Sequence, residues 1–157
     1  MADTYTQLYI HIVFAVKGRQ HLIPKQHKEA LHQYITRIIT NKKQTLIRIN
    51  SMPDHIHILI GMKPDIALSD LVRDIKANSS KFINKKGWVA GKFEWQTGFG
   101  AFSYSRSQLD VVVNYINNQE AHHSHLTFRE EYLAFLKRFD VPYNPKYVFD
   151  PDDNSET

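Results

Sequence analysis

The sequence predicts an α+β fold of the ferredoxin-like kind: a βαββαβ antiparallel sheet with helices on one face, plus two C-terminal helices. Three observations carry this. Two runs, Tyr5 to Val16 and His55 to Met62, alternate apolar and polar residues with the two-residue period of a strand. Two longer runs, Pro24 to Asn41 and the stretch after Ser69, repeat apolar residues at helical spacing. These runs follow one another in the order the split βαβ plan requires.

In the first strand, Leu8, Ile10, Ile12, Phe14 and Val16 face one way, and Tyr9, His11 and Val13 the other. Pro24 suits a helix start, and Leu31, Tyr34, Ile35, Ile38 and Ile39 form that helix's inner stripe. Thr45 to Ser51 reads as a second strand, and the Met52-Pro-Asp turn leads into a third. Ser69 is the expected N-cap of the next helix, whose stripe is Leu71/Val72, Ile75, Ser79 and Phe82. Phe99 to Tyr104 reads as a fourth strand, and Ser105-Arg-Ser-Gln108 as a capping box opening a third helix. Leu109, Val112, Val113 and Ile116 make its core stripe. An amphipathic helix from Thr127 to Phe139 closes the pattern, and the segment from Pro142 is expected to dock loosely or fray.

The 157 residues suit one domain over 1–149, with 150–157 as an acidic, flexible tail. That tail holds four carboxylates and no Lys or Arg; the rest carries 20 basic against 12 acidic side chains, a balance of +8. Such a body suits a polyanion partner as readily as ordinary solubility. Cysteine is absent, which excludes disulfides, thiol nucleophiles, Cys-ligated zinc and Cys-dependent nucleobase deaminases. No secretion signal or membrane-length apolar run is visible, so a cytoplasmic protein is expected.

Chemistry gathers at Met52-Pro-Asp-His-Ile-His-Ile-Leu-Ile60. His55 and His57 share one strand face while Ile56, Ile58 and Ile60 face the core. A His-x-His pair is more often a pair of polar sheet positions than half a metal site. Here, however, His11 falls on the same face of a neighbouring strand, so histidines gather on what is expected to be an open sheet face. Tyr115 and Gln119 stand four apart on the third helix, just off its apolar stripe. Such a tyrosine is usually a core residue with its hydroxyl at the rim, yet it also stands where a nucleophile could reach a phosphate on the sheet. Tyr104 and Tyr132 read as packing residues, His122 and His123 as exposed helix-end residues in preference to supports of the site or DNA contacts, and Asp54 as a turn carboxylate or a residue that helps hold a metal.

These motifs, with Tyr9-Ile-His-Ile-Val-Phe14, Trp95-Gln-Thr-Gly-Phe-Gly-Ala-Phe-Ser103 and Tyr115-Ile-Asn-Asn-Gln119, resemble the single-tyrosine HUH transposases of small bacterial insertion sequences. The likeness runs from about Tyr5 to Phe139. It implies that His55, His57 and Gln119 are ligands of Mg²⁺ or Mn²⁺ and that Tyr115 is the nucleophile. It further implies cleavage and rejoining of single-stranded DNA at hairpin-marked ends through a 5′-phosphotyrosine, by a homodimer whose Tyr115 helix is able to serve the partner. A nucleoid-associated place of work follows. Lys17, Arg19, Arg73, Lys76, Ser80 and Lys81 are expected DNA contacts, near Trp88, Phe93 and Trp95. A histidine-triad hydrolase would need a histidine where Leu59 stands. The standing alternative is a non-catalytic or domesticated DNA-hairpin-binding protein on the same fold.

Overall fold

The computed structural model describes residues 3–149; the acidic segment 150–157 lies outside the described residues. Four strands, β1 (Tyr9–Ala15), β2 (Thr45–Met52), β3 (His55–Gly61) and β4 (Gly100–Tyr104), form one sheet in the order β2-β3-β1-β4. All neighbours are antiparallel, which is the βαββαβ topology expected. Helices α1 (Lys28–Asn41) and α2 (Leu68–Lys86) are the crossovers, and α3 (Leu109–Asn117), α4 (Gln119–His123) and α5 (Phe128–Arg138) follow β4.

The alternation in β1 and β3 decides which side each helix takes. Ile12, Phe14, Ile56, Ile58 and Ile60 bury against Leu31, Ile35 and Ile39 of α1 and Leu71, Val72 and Ile75 of α2. In α2 the stripe continues through Ile83, whereas Phe82 stacks on Tyr34 at 4.1 Å between ring centroids. That helix starts two residues earlier than Ser69 suggests. The carbonyl of Ala67 accepts from the amides of Asp70 and Leu71, so Ala67 is the N-cap and no side chain caps it.

The second sheet face is not open. Val13, Ala15 and Phe102 pack under Phe128, Tyr132, Phe135 and Leu136 of α5, and Leu59 packs under Val112 and Ile116 of α3. The alternating face carries Val13, Ala15 and Leu59 besides its histidines, so it too demands cover. Gly100 allows the close approach: a Cβ there would stand 2.6 Å from Tyr132 Cε2. The described part of the segment after Pro142, which ends at Phe149, is likewise docked rather than frayed, because Phe149 is buried against Phe128 and Tyr132. Among the described residues, no helix is long and apolar enough to cross a membrane.

Candidate active site

The β1–β3 register brings the histidines together. His57 pairs with Val13 and Leu59 with His11, so His11, His55 and His57 all stand on the α5 side of adjacent strands. Each of the three is fully buried. The third helix does not continue through Gln119 as expected. It breaks at Asn118, and Gln119 opens α4 with its side chain buried against His55. Tyr115, on the last turn of α3, is half-buried and stacks on His122 at 4.5 Å.

All of these groups converge on Glu131 of α5. Its Oε1 lies 3.0 Å from His57 Nε2, 3.1 Å from His123 Nε2 and 3.4 Å from His55 Nε2. Its Oε2 accepts a short hydrogen bond from the Tyr115 hydroxyl and one of 3.3 Å from Gln119 Nε2. His123 is therefore part of the site, not an exposed helix-end residue; its ring sits over His55 at 4.5 Å. Tyr104 packs with the α5 aromatics as expected, whereas His122, expected to be exposed, is half-buried because its ring stacks on Tyr115.

Neither Glu131 nor His123 is assigned to a site by the sequence reading. A signal for Glu131 exists: in Phe128-Arg-Glu-Glu-Tyr-Leu-Ala-Phe135 it falls three residues after Phe128 and four before Phe135, inside the apolar stripe. A carboxylate on a buried helix face needs partners, and here the histidines supply them.

The donor set fits a divalent cation. His55 Nδ1 donates to Asp54 Oδ1 at 2.6 Å, and His123 Nδ1 donates to the Leu126 carbonyl at 2.6 Å. In the neutral form that metal ligation requires, both rings therefore turn an Nε2 lone pair inward. His55 Nε2 faces Gln119 Oε1 at 3.1 Å, and the amide cannot simply flip, since its Nε2 already donates to Glu131. Lone pairs pointed at one another at this distance repel unless a proton or a cation lies among them. Ligands held at about 2.1 Å from one ion stand about 3 Å apart, which matches these spacings. The ligand atoms of His55, His57, His123 and Glu131 all lie within 4.8 Å of one another.

Electrostatics keeps the resting site protonated at Tyr115. Burial, then the Glu131 charge and hydrogen bond, push the phenol well above its ordinary value. For Glu131, burial pushes the carboxyl up, but hydrogen bonds from His123 and His57 outweigh it and hold the group well below the usual carboxylate range. Burial pulls His57 down, while its bond to Glu131 opposes this. Burial also pulls His123 down, yet Glu131 more than reverses it, leaving that ring above its ordinary value.

Five of the expected DNA contacts, Lys17, Arg73, Lys76, Ser80 and Lys81, line a single groove of about 890 Å³ between α2 and residues 92–99. Its aromatic wall is Phe93, Trp95 and Phe99. Several of its cations already have partners. Lys17 pairs with Glu94 at 3.2 Å, Arg73 with Asp70 at 3.1 Å, and Lys76 donates to the carbonyls of Gln96 and Gly98. Arg19 stands elsewhere. It shares the Phe149 ring with Arg129, at 4.9 and 5.2 Å from the centroid, in a cleft of about 720 Å³ that reaches His123.

Comparison with known proteins agrees with this architecture. The family described as IS200-like transposases matches residues 4–119. The ISDra2 transposase TnpA of Deinococcus radiodurans is 24% identical over 120 residues, covering 72% of this chain and 84% of that protein. The transposase for insertion sequence element IS200 of Salmonella typhimurium is also 24% identical, over 59% of this chain and 69% of the relative. A crystal structure from Deinococcus radiodurans, assigned as a transposase, superposes with a TM-score of 0.61 at 22% identity, covering 76% of this chain and 95% of that one. A REP-associated tyrosine transposase bound to a REP hairpin superposes with a TM-score of 0.59 at 16% identity, covering 80% of this chain and 74% of that one. The family match contains His55, His57, Tyr115 and Gln119 and ends before His123 and Glu131. With that match over most of its length, the chain belongs to the IS200-like transposases, a family of DNA strand-transfer enzymes.

Proposed function

We propose that this transposase cuts and rejoins single-stranded DNA at hairpin-marked ends, with Tyr115 as nucleophile and a divalent cation, Mg²⁺ or Mn²⁺, held by His55, His57 and Gln119. The observation that carries the reading is the convergence of these residues, in one chain, on Glu131. His123 and Glu131 complete the ligand set. When bound, such an ion supplies Lewis-acid stabilisation of charge on the scissile phosphate.

The protein's own groups do the rest. Tyr115 Oη attacks phosphorus as its proton leaves toward Glu131 Oε2, which already accepts it as a hydrogen bond. The phosphorus–O3′ bond breaks, and the departing 3′ oxygen takes a proton from solvent. A 5′-phosphotyrosine and a free 3′-OH result. The reverse attack by a 3′-OH rejoins the strand without an outside energy source, because the phosphotyrosine conserves the ester. In the resting site the high phenol and low carboxyl values both oppose this proton transfer, so Tyr115 waits as a phenol.

DNA binding is assigned to the groove of Lys17, Arg73, Lys76, Ser80 and Lys81, and to the Arg19 cleft beside His123. The hairpin in the structure of the REP-associated relative supports a hairpin as the partner. A homodimer, acting in the cytoplasm at the nucleoid, belongs to the same reading. Because Tyr115 and the His pair meet within one chain, a site in cis is expected of it.

The test is incubation with a single-stranded hairpin oligonucleotide, with Mg²⁺, Mn²⁺ or chelator. A denaturation-stable protein–DNA adduct is expected with metal and none with chelator, and Tyr115→Phe should lower cleavage at least about 10³-fold. Adducts formed by Tyr115→Phe would sink the nucleophile assignment. Binding without any cleavage would favour the hairpin-binding alternative.

A further inference from the structure

We propose that His11 is a positioning residue, which holds the ring of His57 in the orientation and tautomer that metal ligation through Nε2 requires. The inference rests on the reading of His57 as a ligand. It begins from a pattern shared by the three histidines around Glu131. Each turns Nε2 toward Glu131 Oε1, and each has a partner fastened at Nδ1. For His55 that partner is the Asp54 carboxylate, and for His123 it is the Leu126 carbonyl. For His57 it is His11, whose Nε2 lies 2.8 Å from His57 Nδ1.

His11 is an expensive residue to keep where it is. It is fully buried on β1, among Phe102, Tyr104 and Phe135, with the Phe135 ring set edge-on at 5.3 Å. Its own Nδ1 has no hydrogen-bond partner among the described residues. An apolar side chain would fill this aromatic box without the cost of an unmatched buried nitrogen. The contact with His57 is the only polar bond of the His11 ring among the described residues, and the two rings lie nearly coplanar, their planes 23° apart with centroids 5.0 Å apart.

Histidine suits this position because it can both donate and accept at one atom. In the resting arrangement His57 Nε2 faces the Glu131 carboxylate, which only accepts, so Nε2 carries the hydrogen and Nδ1 accepts from His11. Ligation through Nε2 requires the neutral ring to carry its hydrogen at Nδ1 instead. His57 then donates to His11 Nε2, and His11 carries its own hydrogen on Nδ1, toward the aromatic walls. The inter-ring bond survives with its direction reversed. A partner of this kind fixes ring orientation and raises ligand basicity, and loss of such partners typically costs 10- to 100-fold in metal affinity.

The experiment is Mn²⁺ titration of the full chain, followed by calorimetry and by the electron spin resonance of free Mn²⁺, for wild type, His11→Leu, His11→Gln and His57→Ala. Circular dichroism confirms that each variant is folded. His11→Leu should bind Mn²⁺ about 10- to 100-fold more weakly. His11→Gln, whose amide can donate or accept, should stay within a few-fold of wild type. Wild-type affinity in folded His11→Leu overturns the proposal, as does equal weakening in both His11 variants, which would mark a packing role. Unchanged affinity in His57→Ala overturns instead the ligand reading beneath it. If His11→Leu does not fold, imidazole ¹⁵N spectra of the wild type decide. His57 should move its hydrogen from Nε2 to Nδ1 on addition of diamagnetic Zn²⁺, and an unchanged tautomer overturns the proposal.

Discussion

Glu131 Oε1 and His57 Nε2 lie 3.0 Å apart although 74 residues separate them in sequence. This contact ties the last helix to the central strand pair and brings a carboxylate into a site that otherwise holds neutral donors. At the proposed metal site this negative charge would strengthen cation binding, and its second oxygen accepts the Tyr115 hydroxyl hydrogen bond. One side chain thus joins the proposed ligand set to the proposed nucleophile.

Replacing Glu131 by Gln keeps the shape and an oxygen for Tyr115 but removes the charge. Divalent-cation affinity is expected to fall more than about tenfold. Cleavage should then need correspondingly more metal, and raising Mn²⁺ should recover part of the rate. Equal metal affinity in the Gln variant would remove Glu131 from the ligand set.

Gly100 is predicted to tolerate no Cβ. Tyr132 Cε2 stands where the new carbon would press, at 2.6 Å, and that ring is held by Phe128 and Phe149. Gly100→Ala should cost about 1–3 kcal/mol by forcing α5 away from β4. Urea unfolding measures the loss, and pairing it with Tyr132→Leu should return part of it.

Stability should fall between neutral pH and about pH 4.5, partly through His32. Burial, with the Lys28 charge adding to it, lowers the His32 pKa from its ordinary value of about 6.5 to about 4. Its Nε2 lies 2.8 Å from Ser51 Oγ in a partly buried site. A folded value below the unfolded one means that the unfolded chain takes up the proton first. Stability is therefore lost as pH falls from about 6.5 toward 4, by about 2 kcal/mol at pH 4.5. Buried His11 and His57 act in the same direction, so the His32 share is the difference between wild type and His32→Asn. Parallel stability curves for the two proteins across this range would refute it.

The groove beside α2 is testable by salt dependence. If Arg73 and Lys81 neutralise DNA phosphates, replacing each by Ala should reduce the slope of log affinity against log salt by roughly 1 per residue for a duplex stem. Arg73 must leave Asp70 and Asp74 to do so, and its contribution should be the smaller of the two. Unchanged slopes would place the hairpin on another surface.

Strand and helix order, the apolar faces of β1 and β3 and the capping box at Ser105 are legible along the chain. His55, His57, Tyr115 and Gln119 are legible as a group through the family motif, and the structure brings them together. Three features are not. Ser69 looks like a cap, but Ala67 supplies the carbonyl two residues earlier, and backbone bonds outweigh side-chain preference there. His123 looks like an exposed helix end because its burial depends on α5 lying over it. Phe149 looks like part of a loose end, and only Arg19, Arg129 and the α5 aromatics give it a seat.

The sequence by itself determined the sheet, its two helical crossovers, the basic body and the HUH pair with its tyrosine. Those are properties of residues two to four apart, or of motifs short enough to read in line. Tertiary structure alone decided that the second sheet face is covered, that Glu131 and His123 join the site, and that His11 backs His57. These depend on α5 packing across β1 and β3, a long-range event that places groups up to 74 residues apart within hydrogen-bonding distance. A buried carboxylate and a buried histidine announce their partners only once the surfaces that desolvate them are known.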